Sequence, residues 1–187
     1  VLVEAFAEGV TSQGLDVVDV GLGSTDMLYF AAGALDAPGA MFTASHNPAA
    51  YNGIKLCLSG ARPVGEETGL AEIRARAEAG VPPVGTPGTM HEDEVLSRFA
   101  DHVRSFVHLD GLRPLKVVAD TANGMGGLVV PAVFAPLPFA LEILFAELDG
   151  TFPNHPADPI QPENQRDLQA RVLTTGADVG LDFDGAA

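Results

Sequence analysis

One cysteine, Cys57, and no tryptophan occur among the 187 residues. A lone thiol finds no partner within the chain, so no internal disulfide forms and a reducing, cytoplasmic setting is expected. Basic residues are scarce: 10 Lys and Arg stand against 25 Asp and Glu, a formal net charge of −15. That balance argues against nucleic acid and against anionic membrane surfaces as partners. Long hydrophobic runs are missing too. The longest, Leu128 to Leu141, falls short of a membrane span and contains Pro131, Pro136 and Pro138. The first residues include Glu4 and Glu8 without a basic start, so no secretory signal is read there. What is plentiful is apolar material, 47% of the chain, enough for a real core and far from disordered or collagen-like composition.

Helical and extended patterns alternate along this material. Helix is expected over 1–13, strand over 15–21, and a helix capped by Ser24 running to about Leu35. Strands follow at 40–43 and 54–58, separated by a polar turn from Ser45 to Asn52. An amphipathic helix is expected over 66–79, with Leu70, Ile73 and Ala77 on one face, then a Pro- and Gly-rich loop over 80–90 and a helix over 92–107. A second series begins at a strand over 115–119. It continues with a Gly-opened helix over 124–134, a strand over 141–145 and a loop over 147–162. A helix over 163–174 and a strand over 177–181 complete it. Strands alternating with helices argue for α/β sheets built from βαβ units. The boundary is placed within 108–114, giving domains over 1–109 and 110–187. Both ends have the character of cut elements, and a fragment of a longer chain is expected.

The chemistry concentrates at Thr43-Ala44-Ser45-His46-Asn47-Pro48, between two strands and just before Asn52-Gly53-Ile54-Lys55. A hydroxyl on a turn after a buried strand is well displayed, main-chain N–H groups and a lysine can hold an anion beside it, and His46 and Lys55 can move protons. Lys55 is one of only two lysines, beside Lys116.

The string TASHNP followed by NGIK resembles the active-site serine loop of the α-D-phosphohexomutases, the phosphoglucomutase and phosphomannomutase type. Gly23-Ser24-Thr25-Asp26, Asp120-Thr121-Ala122-Asn123-Gly124, the segment Asp149 to His155, and the closing Asp182-Phe183-Asp184-Gly185 are similar to other segments of that family. The resemblance implies two successive mixed α/β domains of the phosphohexomutase kind, both incomplete. It implies that Ser45 carries a phosphoryl group, gives it to a hexose monophosphate and recovers it through a hexose 1,6-bisphosphate. Hexose 6-phosphate and hexose 1-phosphate, of glucose or mannose, would thus interconvert. Lys55 would neutralise charge and His46 would orient or shuttle a proton. A phosphoserine brings roughly −1.5 to −2 charge, and Mg²⁺ is the cofactor implied beside it. A monomer or homodimer is expected. The isolated 187 residues are expected to have little or no mutase activity.

The metal loop of that family has three aspartates at alternate positions followed by Arg. Aligned on Phe183 and Gly185, Asp184 is the first ligand, and Ala186 stands where the second would be. Asp182 is a weaker substitute, at a position where the family has an apolar or small residue. Two alternatives follow from the same residues. One is a non-catalytic sugar-phosphate binder that kept the serine loop and lost the metal loop. The other is a haloacid-dehalogenase-type phosphatase with Asp182 as nucleophile and Asp184 as acid/base, which leaves TASHNP unexplained. The glycines of Asn123 to Gly127 lack a Walker lysine and a full GxGxxG, so a helix-opening turn is expected. No G-x-S-x-G elbow supports a serine hydrolase. Cys57 is expected in the core. His91, His102, His108 and His155 are assigned surface or helix-end roles, and the 147–162 loop a structural one.

Overall fold

The computed structural model describes residues 1–44 and 51–186, which form two units. The first comprises residues 1–21, 28–42 and 53–94. Its helix α1 (Leu2–Ser12) buries Ala7 and sets the Phe6 ring edge-on against Phe42 at 5.5 Å. Strand β1 (Val17–Asp19) precedes α2 (Thr25–Ala34), whose residues from Leu28 onward belong to this unit. Strands β2 (Gly39–Phe42), β3 (Ile54–Leu58) and β4 (Arg62–Pro63) form an antiparallel sheet in that order. Leu28 and Ala32 from α2 close on Cys57 of β3, with Tyr29 and Met41 packed around them. Cys57 is thus a core residue, as its apolar neighbours imply.

Two elements depart from the sequence pattern here. The helix expected over 66–79 is split: a 3₁₀ turn (Glu66–Thr68) ends at Gly69, whose φ of 144° only glycine adopts readily, and α3 (Leu70–Ala79) follows. None of the residues of α3 is fully buried: Leu70 is half-buried and Ile73 is 46% exposed, so the expected apolar face forms no buried core. The second departure is β5 (Met90–Glu92), parallel to β1, where loop and helix were expected. Its cause is tertiary. The Asp16 carboxylate accepts both the N–H and the Oγ–H of Thr89, at 2.7 and 2.8 Å, and Val17 donates its N–H to the Thr89 carbonyl. The chain is therefore pinned beside β1 just before the strand. Three exposed residues with no alternation give no local signal for it.

The second unit comprises residues 22–27, 43–44, 51–52 and 95–186 among the described residues. Helix α4 (Leu96–Ser105) buries Phe99 and Ala100. The central strand β6 (Leu115–Asp120) lies between β7 (Phe139–Leu144) and β8 (Val179–Asp182), all parallel. Helices α5 (Gly126–Phe134) and α6 (Arg166–Thr175) provide the crossovers. Val117, Val118, Ala119 and Asp120 are 2% exposed or less, as expected of a central parallel strand covered on both faces. Arg104 ties α4 to α5 by donating to the carbonyls of Ala132 and Val133, at 2.8 and 3.0 Å. This contact groups α4 with the second unit, so the division falls between Glu94 and Val95, ahead of the boundary drawn at 108–114.

Candidate active site

In an open parallel sheet, ligand chemistry gathers at the carboxyl ends of the strands, at the point where successive crossovers leave in opposite directions. In the second unit that point lies between β6 and β8. The two strands deliver Asp120 and Asp182 there as direct register partners. The Phe183 N–H donates to the Asp120 carbonyl at 3.0 Å, so the chain leaving β8 is still held by the ladder as it enters the loop of Asp184.

Three loops interlock around this end. After β6, the Asp120 carboxylate accepts the Ala122 N–H at 3.0 Å, closing a turn in which Ala122 and Asn123 have φ of 45° and 60°. Such conformations cost of order 1–3 kcal/mol each unless the surroundings over-determine them. They are over-determined here. Asn123 receives the Asp149 N–H on its carbonyl and donates its own N–H to the Phe145 carbonyl, both at 2.9 Å. Its side chain donates to the Glu147 carbonyl and accepts from Asn154. The turn then brings Gly124 against Gly185: a Cβ at Gly124 would lie 2.6 Å from the Gly185 Cα. The Met125 N–H donates to the Gly185 carbonyl, and the Thr25 N–H to the Ala186 carbonyl, at 3.2 and 2.8 Å. Phe152 and Ala157 also pack close to Gly185. The glycines after β6 therefore serve close approach at a helix-opening turn.

His155 sits at the centre of this arrangement, with its side chain 10% exposed. Its Nε2 is 3.2 Å from both oxygens of Asp120, which is wholly buried, and its Nδ1 is 2.9 Å from the Pro156 carbonyl. A carbonyl only accepts, so Nδ1 carries a hydrogen. Nε2 then either donates to an ionised Asp120 or accepts from a protonated one, and in both cases one proton lies between the two groups. Burial drives the Asp120 carboxyl above its ordinary value, against the opposing Ala122 N–H and His155. Burial pulls His155 down, but the Pro156 carbonyl and the Asp120 charge outweigh it, and the imidazole ends above its ordinary value. Asp182 is likewise raised, by burial first and by the Asp120 charge second. Its Oδ2 is buried without a hydrogen-bond partner.

The sequence-derived site residues are distributed as follows. Ser45 and His46 lie outside the described residues. The described residues on either side, Thr43 and Ala44 before and Tyr51 and Asn52 after, belong to the second unit. Lys55 is in β3 of the first unit, half-buried and paired in register with Met41. Asp184 follows β8, and its Oδ1 accepts the Ala186 N–H at 2.7 Å. Asp182 ends β8 beside Asp120. A surface or helix-end role is expected for His155 and a structural one for the 147–162 loop; the structure corrects the first, since the histidine side chain is 10% exposed and faces Asp120. No periodicity flags a histidine 35 positions from its partner. The available signal was topological: a polar loop between two parallel strands lies where such sheets place their chemistry.

One oxygen of Asp184 is occupied by the Ala186 N–H, Ala186 itself offers no side-chain donor, and among the described residues no group of three or more His, Cys, Asp or Glu could hold a metal ion. The side chains described do not make an Mg²⁺ site by themselves.

The family models described as phosphoglucomutase/phosphomannomutase, alpha/beta/alpha domain I and domain II match residues 1–81 and 97–187. The second match includes the strand and loop that carry Asp182 and Asp184. Among curated relatives, a protein named phosphomannomutase from Salmonella montevideo is 38% identical over 190 residues, covering 97% of this chain and 42% of that protein. One named phosphomannomutase/phosphoglucomutase from Pseudomonas aeruginosa PAO1 is 37% identical over 185 residues, 98% of this chain and 39% of its own length. The chain thus spans about two fifths of the relatives it matches. A crystal structure of a phosphoglucomutase/phosphomannomutase family protein from Burkholderia thailandensis superposes with a TM-score of 0.83 at 35% identity, covering 99% of this chain and 41% of the other. No helix among the described residues is long and apolar enough to cross a membrane. Two domain models in the family's order, together with the matching fold, place this chain in the phosphoglucomutase/phosphomannomutase family, of which it carries parts of the first two α/β/α domains.

Proposed function

We propose that this chain is the phosphoryl-donor portion of a mutase interconverting hexose 6-phosphate and hexose 1-phosphate, with glucose or mannose as the sugar. Ser45 is the carrier. In the first transfer the Ser45 Oγ–P bond breaks as a sugar hydroxyl oxygen bonds to phosphorus, and the hydroxyl proton passes to a neighbouring base while the departing Ser45 Oγ takes up a proton and becomes a hydroxyl. The product, a hexose 1,6-bisphosphate, reorients and returns its other phosphoryl group to Ser45. Lys55 supplies a compact positive charge at the phosphoryl group, and His46 orients or shuttles the proton. Such transfers depend on positioning and charge stabilisation, since the protein contributes little covalent chemistry beyond the carrier. The supporting observation is the grouping of the chain: the described residues flanking Ser45 belong to the unit that holds the Asp184 loop.

The test is intact-protein and peptide mass spectrometry of the complete protein after incubation with glucose 1,6-bisphosphate and Mg²⁺. A phosphoryl group on Ser45 supports the proposal, and an unmodified serine on folded protein overturns it. A second reading rests on Ala186, which stands where the metal loop of the family has its second aspartate. Under it the protein is a non-catalytic sugar-phosphate binder. Such a binder holds glucose 6-phosphate without Mg²⁺ and never turns it over, so a Mg²⁺ titration of binding and turnover separates the two.

A further inference from the structure

We propose that His155 is a positioning residue for the Asp184 loop, acting through Asp120. The segments that pack against Gly185, one following β6 and one following β7, are joined by the Asn154–Asn123 side-chain hydrogen bond and, deeper at the sheet end, by Nε2 of His155 and the wholly buried carboxyl of Asp120, 3.2 Å apart. Asp120 transmits the constraint by two routes. Its side chain accepts the Ala122 N–H and fixes the left-handed turn that carries Gly124 onto Gly185. Its carbonyl accepts the Phe183 N–H and so anchors the chain one residue before Asp184. His155 lies on the loop whose Phe152 and Ala157 pack close to Gly185. Its own ring is fixed by the Pro156 carbonyl and by an edge-on contact with Phe145 at 5.3 Å. Removing the imidazole leaves a buried carboxyl with one fewer partner, and a buried polar group so exposed relaxes by shifting its main chain. The shift enters the Asp184 loop through the Asp120 carbonyl, which holds the Phe183 N–H, while the Asn154–Asn123 hydrogen bond, which does not touch Asp120, stays in place.

The inference rests on the phosphotransfer reading for its catalytic consequence only, and the experiment separates the two. Amide hydrogen exchange of the full chain is followed by NMR for the parent, for His155→Leu, which keeps apolar bulk against Phe145, and for His155→Gln, whose amide can donate to Asp120. In His155→Leu, exchange at Phe183 and Ala186 is expected to quicken about tenfold or more, with Val118 and Ala119 in the strand centre within about twofold of the parent. His155→Gln is expected to keep Phe183 within about threefold. In the complete protein, His155→Leu is expected to lower kcat about tenfold to a hundredfold with KM within about twofold. Unchanged exchange at Phe183 and Ala186, or equal quickening at Val118, overturns the proposal. If the leucine variant does not fold, fast exchange at Phe183 in the glutamine variant overturns it. A complete protein that never phosphorylates Ser45 refutes the phosphotransfer reading and leaves the exchange result to decide the role of His155.

Discussion

Replacing Gly124 by alanine adds one methyl group where two backbone segments of the candidate site approach closely. The new Cβ would lie 2.6 Å from the Gly185 Cα, 2.9 Å from its carbonyl oxygen and 3.0 Å from its carbonyl carbon. All three are backbone atoms, so no side-chain rotation relieves the clash. Either the turn after β6 or the loop carrying Asp184 must move. Overpacking of this kind costs typically 1–3 kcal/mol, about 2 kcal/mol as a central value. For a chain of this size that lowers the melting temperature by roughly 4–8 °C. Gly9 provides the control: it is exposed within α1, and nothing lies within 4 Å of its added Cβ. Gly9→Ala should therefore stabilise by about 0.5–1 kcal/mol through helix propensity. The same substitution thus has opposite signs at two positions. Urea denaturation followed by far-ultraviolet circular dichroism reads both, and the complete protein with Gly124→Ala should also lose turnover because Asp184 is displaced. Gly124→Ala at parental stability, or shifted like Gly9→Ala, refutes the close approach of the two glycines.

Other outcomes follow from the same contacts. Asp120, Asp182 and His155 all have folded pKa values above their ordinary 3.8, 3.8 and 6.5, so the folded state binds more protons than the unfolded chain. Their stabilisation is full below those ordinary values and is lost as pH rises through the raised ones. His155 has an ordinary value of 6.5 and a raised folded one, so urea midpoints should fall as pH is raised past 6.5, and His155→Leu should lessen that fall. A midpoint that rises instead contradicts the pairing. Arg104→Ala removes two hydrogen bonds to the last turn of α5 from a guanidinium that is 15% exposed, and should destabilise the second unit by about 1.5–3 kcal/mol in the same denaturation assay. Ser45→Ala in the complete protein should remove nearly all hexose phosphate interconversion, measured by coupled assay, and a variant retaining most of its rate refutes the carrier role.

The sequence by itself determined the fold class, the order of most helices and strands, and the serine motif. Those features are local. β-Branched runs at 17–20 and 117–118, a serine cap at Ser24 and a contiguous string around Ser45 are all written in adjacent residues. The Ser24 hydroxyl does accept the Met27 N–H, at 3.3 Å. Only the tertiary structure decided what depends on residues distant in sequence. Strand β5 exists because Asp16 holds Thr89, 73 positions away. The grouping of Asp120, His155 and Asp182 arises because a parallel sheet aligns the ends of β6 and β8 and the loop after β7 crosses them. Periodicity carries no information on such a meeting, since the groups come from three separate segments, and the burial that raises the two aspartates and the contacts that raise the histidine exist only once the sheet has formed.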